Sequence, residues 1–394
     1  MLLTGLSVMR KIMIMNMKIN ILSPGRSHLC DLSRELHRNG FDVKFYSFVP
    51  TRMLERYGLR RSCSMSLFWL LVPFVALRRL LPKNKKMAGL LRKAQDWFTS
   101  VAMRKADVTI AWSGDFNNSL DKAKRRGDIV IVERGCKHIL EQKRILESIP
   151  AIKGKVIIDD ANQERELHDY RIADYVSVAS HHVVESFQKY NYPLDKLFLN
   201  QYGVDVSMFS PDDKIEKKYD AIMVGNWCYR KGCDLIVEAV RSLGYRFLHV
   251  GSIGDCPFPV DDDLFVHIDA VPQENLVHYY HQSKIFVMPS REDGFGMVYS
   301  QAVACNLPIV GSKDSGAPEL KDKVDMPQCV VIIDDYTTES VVKGMKEAMS
   351  QYQMLQGNRY AGSALEDLTW TTYGKRYADW LNFVLFPKLS GIQN

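Results

Sequence analysis

The chain has 394 residues, which is enough for two or three domains. Apolar residues make up 46% and charged residues 25% of the sequence, the balance of a folded globular protein rather than a low-complexity one. The formal charge of +6 is local, because residues 56–95 hold ten basic residues and no acidic one. The rest of the chain is net acidic, so we expect no nucleic-acid partner.

The eight cysteines are scattered and include no Cys-x-x-Cys pair. This spacing argues against a structural zinc site and a disulfide framework, and favours a reducing compartment. Residues 1–16 lack the early charge, long apolar core and cleavage site of a signal peptide. We therefore expect residues 1–16 to be a disordered N-terminal extension or an over-long start, and the protein to be cytoplasmic.

Short apolar runs rich in β-branched residues alternate with helical patterns, which predicts an α/β protein with two doubly wound parallel sheets. The strands predicted in the first half are Lys18–Pro24, Phe41–Phe48, Val108–Trp112, Ile129–Glu133, Lys155–Asp159, Tyr175–Ala179 and Leu197–Tyr202. Those in the second half are Ala221–Gly225, Phe247–Gly251, Leu264–Ile268, Ile285–Pro289, Pro308–Gly311 and Val330–Ile333. The predicted helices are Ser27–Asn39, Cys233–Leu243, Glu274–Ser283, Val298–Cys305, Glu339–Tyr352 and Thr371–Leu385. The polar segment 209–219, which contains Pro211, is predicted to link the two domains.

Residues Leu67–Leu77 form an unbroken apolar run that is followed by Arg78 and Arg79. The run is too short to span a bilayer, and Pro73 interrupts it. Apolar residues with tryptophan, flanked by basic residues, are typical of a helix lying on an anionic membrane. We expect residues 61–93 to contact such a surface; the alternative is a buried core helix with a solvated basic neighbour.

The segment 289–306, PSREDGFGMVYSQAVACN, carries the strongest functional signal. A predicted strand runs into a loop with Gly294 and Gly296 and then directly into a helix. Glycines let backbone N–H groups approach a ligand, and a helix start offers unpaired N–H donors to a diphosphate. The segment therefore predicts a phosphate-binding loop.

This segment resembles the family-four retaining glycosyltransferases with the GT-B fold. The family has Glu-Gly-Phe-Gly, a second acid eight residues after the first, and then Ala-x-Ala-Cys-Gly-x-Pro-Val. Here Asp293 stands for the first acid and Gln301 for the second. In the family the first acid contacts the donor sugar and the second holds the nucleotide ribose. The resemblance therefore implies a donor site that includes Asp293, Gly294, Phe295, Gly296, Met297, Val298 and Gln301.

A second match is the segment 224–232, VGNWCYRKG. The family has Gly-Arg after the strand and Lys-Gly five residues later, and the two cations contact the donor phosphates. Asn226 replaces the arginine here, Lys231 aligns with the lysine, and Arg230 is a further cation that could supply the missing charge. A solvated Arg-Lys pair at a helix start is the alternative interpretation.

Three further segments extend the resemblance: residues 21–38, 200–211 and 368–380. The first would place Gly25 and Arg26 at the cleft, and the last resembles a C-terminal helix that crosses back to the first domain. The resemblance implies an acceptor-side Rossmann-like domain at 17–208, a nucleotide-sugar-binding one at 220–368 and a returning helix at 369–388. The GT-B fold would then place the two domains across a cleft.

The implied function is transfer of a hexose-type sugar from a nucleotide-sugar to a glycan or lipid-linked acceptor, with retention of configuration, in surface polysaccharide or glycoconjugate synthesis. Lys231, Arg230 and Asp293 are the expected catalytic residues, and His138, after a strand end in the first domain, is a fourth. A surface histidine is the alternative for His138. Because Asp261, Asp262 and Asp263 resemble a solvated turn, we expect no metal and no cofactor besides the nucleotide-sugar substrate.

Two rival functions stay open at this point. The replacement of three family residues by Asn226, Asp293 and Gln301 fits a non-catalytic nucleotide-sugar-binding or scaffolding partner of a polysaccharide assembly complex. A sugar-nucleotide epimerase of the same fold is the second rival. A Rossmann dehydrogenase is disfavoured because no Gly-x-Gly-x-x-Gly follows a strand.

Overall fold

The structure is a computed structural model that describes residues 17–73, 85–155, 157–355, 357–362 and 364–390. The expected extension at 1–16 and the second part of the apolar run, from residue 74, lie outside these residues.

The first domain is built on a parallel sheet of seven strands in the order β3-β2-β1-β4-β5-β6-β7. Its strands are β1 (Lys18–Leu22), β2 (Asp42–Ser47), β3 (Ser64–Ser66), β4 (Val108–Trp112), β5 (Ile129–Glu133), β6 (Tyr175–Val178) and β7 (Leu197–Leu199). Its helices are α1 (His28–Arg38), α2 (Thr51–Glu55), α3 (Lys85–Ala102), α4 (Asn117–Arg125), α5 (Ile139–Ser148), α6 (Asp160–Ile172) and α7 (His181–Lys189). Strand β5, which lies inside the sheet between β4 and β6, is buried along its whole length, as expected for a parallel sheet with both faces covered.

The second domain has a parallel sheet of six strands in the order β10-β9-β8-β11-β12-β13. Its strands are β8 (Tyr219–Val224), β9 (Phe247–Val250), β10 (Phe265–Ile268), β11 (Ser283–Val287), β12 (Ile309–Ser312) and β13 (Val330–Ile333). The helices that follow β8 are α8 (Cys233–Leu243), α9 (Gln273–His281), α10 (Met297–Ala304), α11 (Ala317–Lys321), α12 (Thr338–Leu355), α13 (Ala364–Asp367) and α14 (Trp370–Ser390).

Helix α14 returns to the first domain, as the resemblance implied. Trp380 stacks on Phe198 of β7 with ring centroids 4.0 Å apart, and the Tyr377 hydroxyl donates to Glu133 at 2.8 Å. Tyr202 packs against both Tyr373 of α14 and Phe295 of the second domain. One face of the first sheet therefore shares an apolar core with the second domain, which fixes the two sheets relative to each other.

The two doubly wound sheets predicted from the sequence are confirmed, and several elements have the predicted bounds: β4, β5, β13 and α8. The strand predicted at Lys155–Asp159 is wrong. The described residues of this segment, 155 and 157–159, lie outside any strand, and Asp159 is the N-cap of α6, where its side chain accepts a hydrogen bond from the Asn162 N–H at 2.8 Å. The Asp159 carboxylate thus satisfies an N–H group at the helix start.

Exposed apolar side chains are concentrated around helix α3 and the segment before it. Trp69 is 78% exposed, and Leu90, Trp97 and Val101 lie at helical spacing on α3 with 48%, 59% and 63% of their surface exposed. The alternative of a buried core helix at Leu67–Leu77 can be compared over residues 67–73, where Leu67 and Leu71 are buried and Trp69 is not. Within the described ranges no helix is both long and apolar enough to cross a bilayer.

We expect Gly374→Ala to weaken the attachment of α14 to α1. A Cβ at this position would collide with the side chain of Glu35, which is buried and held by Arg34 and Arg38. Overpacking of this kind costs about 1–3 kcal/mol, so the midpoint of thermal unfolding should fall by several degrees.

Gly89→Ala is the matched control, because Gly89 lies within helix α3 and a Cβ there has nothing within 4 Å. This variant should be neutral or slightly stabilised. Equal midpoints for the two variants would contradict the close contact between α14 and α1.

Candidate active site

The candidate site lies where β8 and β11 end side by side in the middle of the second sheet. From this pair the strand order runs outward in opposite directions, to β9 and β10 on one side and to β12 and β13 on the other. Ligands of doubly wound sheets bind at such a reversal, outside the carboxyl ends of the strands. The loops after these two strands contain Arg230, Lys231 and Asp293.

Lys231 is positioned by a short turn that follows β8. Residues Tyr229–Lys231 form a single 3₁₀ turn, and Gly232 then starts α8 with a φ of 73°. A Cβ on Gly232 would collide with the carbonyl oxygen of Pro289, at the end of β11. Glycine therefore lets the turn lie directly against the neighbouring strand, and this brings Lys231 next to Asp293.

Lys231 and Asp293 form a buried ion pair between Nζ and Oδ2, with only 9% of the lysine and 8% of the aspartate exposed. Burial alone would raise the pKa of Asp293, but Lys231 and Arg230 outweigh it and hold that pKa below its ordinary value. Asp293 is therefore ionised at neutral pH and can accept hydrogen bonds from a ligand.

Helix α10 begins at Met297, shortly after Asp293. Gly296, at a φ of 71°, precedes the helix, and a Cβ on it would lie 2.9 Å from Asp293 Oδ2 and 2.8 Å from the Tyr299 ring. Met297 itself is 37% exposed. The unpaired N–H groups of this first turn, which include that of Val298, and the positive end of the helix dipole thus adjoin the Lys231–Asp293 pair.

Arg230 contacts a different carboxylate from Lys231. Its Nη1 donates to the main-chain oxygen of Glu292 at 3.1 Å and to the Oε2 of the same residue at 3.2 Å. Arg230 thus pairs with Glu292, and its neighbour Lys231 pairs with the adjacent acid, Asp293. The alternative of a solvated Arg-Lys pair is wrong, because both side chains are engaged with carboxylates.

The first domain contacts the site through the loops after β5 and β6. Glu292 Oε1 accepts from the Lys137 N–H at 3.1 Å, and Lys137 Nζ pairs with Asp314 at 2.7 Å. The Ser180 hydroxyl donates to the Gly294 carbonyl at 2.5 Å. A Cβ on Gly294 would collide with the Gly135 carbonyl, so the two domains touch backbone to backbone beside the candidate site.

The other residues predicted in the second domain lie around this centre. The Phe295 ring is buried against Tyr202, and the Gln301 side chain accepts from the Tyr280 hydroxyl at 3.0 Å. Asn226 is exposed and accepts from the Ser252 hydroxyl at 2.9 Å. None of these three contacts is with the Lys231–Asp293 pair.

Gly25 and Arg26 follow β1 in the first domain and lie at a second interdomain contact. Arg26 stacks over the Tyr57 ring at 3.9 Å and donates to Gln273 of α9 at 3.1 Å. Arg26 and Gln273 both line a cavity of about 420 Å³ between the two domains. The described contacts of Arg26 are therefore with Gln273, Tyr57 and Asp31 rather than with Asp293.

His138 is the N-cap of α5, and only 4% of it is exposed. Its ring stacks on Tyr190 at 4.7 Å and packs against Phe187 and Tyr170. Burial lowers its pKa to about 4, and the nearby Arg134 cation contributes to this shift. The alternative of a surface histidine is wrong; the structure places His138 in an aromatic core and does not bring it to the Lys231–Asp293 pair.

Sequence reasoning missed the residues that join the domains at this site. Glu292 is adjacent to Asp293 in the sequence, but its partners Lys137 and Gln142 are 155 and 150 positions away. Pairs of this kind leave no local pattern in one sequence. In the part of the chain that the structure describes, no group of three or more His, Cys, Asp or Glu side chains could hold a metal ion.

The chain is similar to known proteins in part of its sequence. The family model described as Glycosyl transferases group 1 matches residues 218–351. A GDP-mannose-dependent α-(1-6)-phosphatidylinositol monomannoside mannosyltransferase of Mycolicibacterium smegmatis is 25% identical over 53% of this chain and 62% of its own length. A phosphatidylinositol N-acetylglucosaminyltransferase component of Arabidopsis thaliana is 23% identical over 46% of this chain and 42% of its own length. The chain thus matches less than two thirds of each of these curated relatives.

Solved structures match almost the whole fold. Sucrose-phosphate synthase from Thermosynechococcus elongatus superposes with a TM-score of 0.64 and 14% identity, over 96% of this chain and 100% of that one. Anabaena HepE in complex with UDP-glucose has a TM-score of 0.61 and 13% identity, over 93% of this chain and 99% of that one. The family model covers residues of the second domain, so that part of the chain is similar to the group 1 glycosyltransferases, and the likeness of the two facing sheets to these solved structures shows that the chain has the GT-B fold.

Proposed function

We propose that the protein transfers a hexose-type sugar from a nucleotide-sugar to a glycan or lipid-linked acceptor, with retention of anomeric configuration, in surface polysaccharide or glycoconjugate synthesis. The observation that carries this proposal is the buried Lys231–Asp293 pair beside the start of α10. A diphosphate would lie at the N–H groups of Gly296, Met297 and Val298, with Lys231 offsetting its charge. Asp293 would accept hydrogen bonds from hydroxyls of the sugar.

Negative charge develops on the leaving phosphate during transfer, and donors placed beforehand stabilise it at no reorganisation cost. Lys231 is suited to this role because its neighbours at the end of β11 hold it in place before a ligand binds. Arg230 would act indirectly, because its contact with Glu292 fixes the loop that carries Asp293. The resemblance to retaining enzymes is the support for retention of configuration.

The named relatives support both substrates of the proposal. The mycobacterial relative is described as GDP-mannose-dependent, and HepE was solved with UDP-glucose, so nucleotide-sugars are the donors in each case. The mycobacterial and plant relatives are named for phosphatidylinositol acceptors. A lipid-linked acceptor is therefore the form that we propose first.

A lipid-linked acceptor requires access to a membrane, and we propose that the surface around α3 provides it from the cytoplasmic side. Trp69, Trp97 and Val101 are exposed, and the side chains of Lys93 and Lys105 are exposed on and after the same helix. Tryptophan and aliphatic side chains insert at the headgroup level while lysines attract anionic lipids. This surface is referred to below as the α3 surface.

We expect the wild-type protein to be stabilised by one of UDP-glucose, UDP-N-acetylglucosamine, GDP-mannose and ADP-glucose in a thermal-shift panel, and to turn that donor over. Lys231→Met should lower kcat by about 10²–10³, because one preorganised cation at the leaving group is lost. Since this leaves Asp293 buried and unpaired, Lys231→Met/Asp293→Asn should be made as well, to keep the pair neutral.

Lys284→Met is the matched control for the Lys231 variants. Lys284 lies at the opposite end of β11 and pairs with Asp220 at 2.7 Å, so its loss should leave turnover unchanged. A stabilising donor without turnover in any acceptor mixture would favour the non-catalytic scaffolding partner, and an epimerised free donor would favour the epimerase.

Metal removal gives a separate test of how the leaving group is stabilised. If Lys231 and the start of α10 offset the phosphate charge, the rate in excess EDTA should equal the rate without it, within error. Added Mg²⁺ or Mn²⁺ should not raise it. A rate lost in EDTA and restored by either ion would contradict this part of the proposal.

For the α3 surface, we expect the wild-type protein to float with vesicles that contain phosphatidylserine and to be released by high salt. Trp69→Ser/Trp97→Ser should reduce the bound fraction several-fold, because both indole rings are exposed. Val260→Ser, an equally exposed apolar position in the second domain at 80%, should bind as the wild type does. Vesicle binding that is unchanged by high salt and by the loss of both tryptophans would contradict the proposal that the α3 surface contacts the membrane.

A further inference from the structure

His182 lies in the first turn of α7, beside the point where the two domains meet. Its neighbours in the sequence are both bonded to the second domain: the Ser180 hydroxyl donates to Gly294, and the His181 N–H donates to Glu319 of α11 at 2.6 Å. The start of α7 is therefore held against the loop that contains Asp293. These contacts fix the position of His182 relative to the candidate site.

The His182 side chain is buried without a hydrogen-bond partner. Only 9% of the residue is exposed, and neither ring nitrogen bonds to any residue that the structure describes. Leaving a buried polar group unpaired is unfavourable, and an apolar side chain of similar size would avoid this penalty. A histidine retained at such a position therefore needs an explanation beyond packing.

The charges around His182 identify what it faces. Burial lowers its pKa to about 4, Lys137 acts in the same direction, and the carboxylates of Asp314, Glu292 and Asp293 oppose this shift. In turn, His182 helps to lower the pKa of Asp293. The imidazole thus lies within electrostatic reach of the carboxylate that is expected to contact the donor sugar, and at neutral pH it carries one donor and one acceptor nitrogen.

On the basis of the proposed function, we propose that the neutral imidazole of His182 hydrogen-bonds to a hydroxyl of the transferred sugar, from the first-domain side of the cleft. His182 would then bind one side of the sugar while Asp293 of the second domain binds the other. This makes sugar recognition depend on both domains being in contact.

A sugar hydroxyl suits this position better than a phosphate. A phosphate at His182 would face three carboxylates, those of Asp314, Glu292 and Asp293, and like charges repel strongly in a buried site. A hydroxyl carries no charge and can both donate to and accept from an imidazole. The phosphates have a better place beside Lys231 and the start of α10.

The test compares wild type and His182→Phe on the donor that the panel selects and on its 2-, 3-, 4- and 6-deoxy analogues. Phenylalanine fills a similar volume and removes the unpaired nitrogens, so the variant should fold. We expect kcat/KM on the parent donor to fall by about 10- to 100-fold. On the one analogue that lacks the bonded hydroxyl, wild type and variant should differ by less than about threefold.

His182→Gln should regain part of the lost rate on the parent donor, because an amide can again bond to the hydroxyl. His281→Phe is the matched control: His281 is also 9% exposed but bonds to the Ser210 carbonyl at 2.6 Å, by the linker. The change in kcat/KM that His281→Phe causes should be the same on every donor.

A His182→Phe loss that is equal on all donors, or no loss at all, would overturn the sugar contact and leave the proposed function intact. Wild-type protein that turns over none of the four parent donors would overturn both. If His182→Phe does not fold, the same comparison is made with His182→Gln, for which unequal losses support the contact and equal losses overturn it.

Discussion

A carboxylate with no exposed surface, that of Glu292, joins the two domains. Burying a charge is unfavourable by several kcal/mol unless it is paired and fully hydrogen-bonded. Arg230 of the same domain supplies the opposite charge, while the Lys137 N–H and the Gln142 amide come from the other domain. The Glu292 carboxylate is therefore fully removed from water only while the domains are in contact. The positions of Asp293 and Lys231 beside it depend on that contact.

The position of Glu292 also separates the roles of two adjacent cations. The sequence aligns Lys231 with the family's phosphate-contacting lysine and offers Arg230 as a further cation that could supply the missing charge. In the structure Arg230 holds Glu292, and Lys231 pairs with Asp293, which lies three residues before Gly296 at the start of α10. Arg230 thus maintains the contact between domains, and Lys231 is the cation next to the helix start. Asn226, which replaces the family's arginine, bonds to Ser252 and does not replace that charge.

The two sheets and the glycine-containing loop between β11 and α10 could be predicted from the sequence, because each follows from local patterns of apolar residues and glycines. The short strand β3 was missed because its three residues, Ser64–Ser66, show no strand pattern. The strand predicted at 155–159 failed because Asp159 starts a helix. The pairing of Lys137 with Asp314 spans 177 positions, and neither residue lies in a motif. Contacts between the domains form only when the domains dock. The residues that make them are far apart in the sequence and leave no local pattern in it.

Docking also explains the glycine at position 294, where the second domain touches the first. Gly135 and Gly294 approach so closely that a Cβ on Gly294 would not fit, and the bonds around them join side chains to backbone or to side chains. Part of this contact is apolar, because Tyr202 packs against both Phe295 and Tyr373, so separation of the domains would expose that surface to water. Asp293, Lys231 and His182 are all buried beside the contact. A ligand that bonds to these groups would therefore stabilise the contact between the domains by its own binding energy.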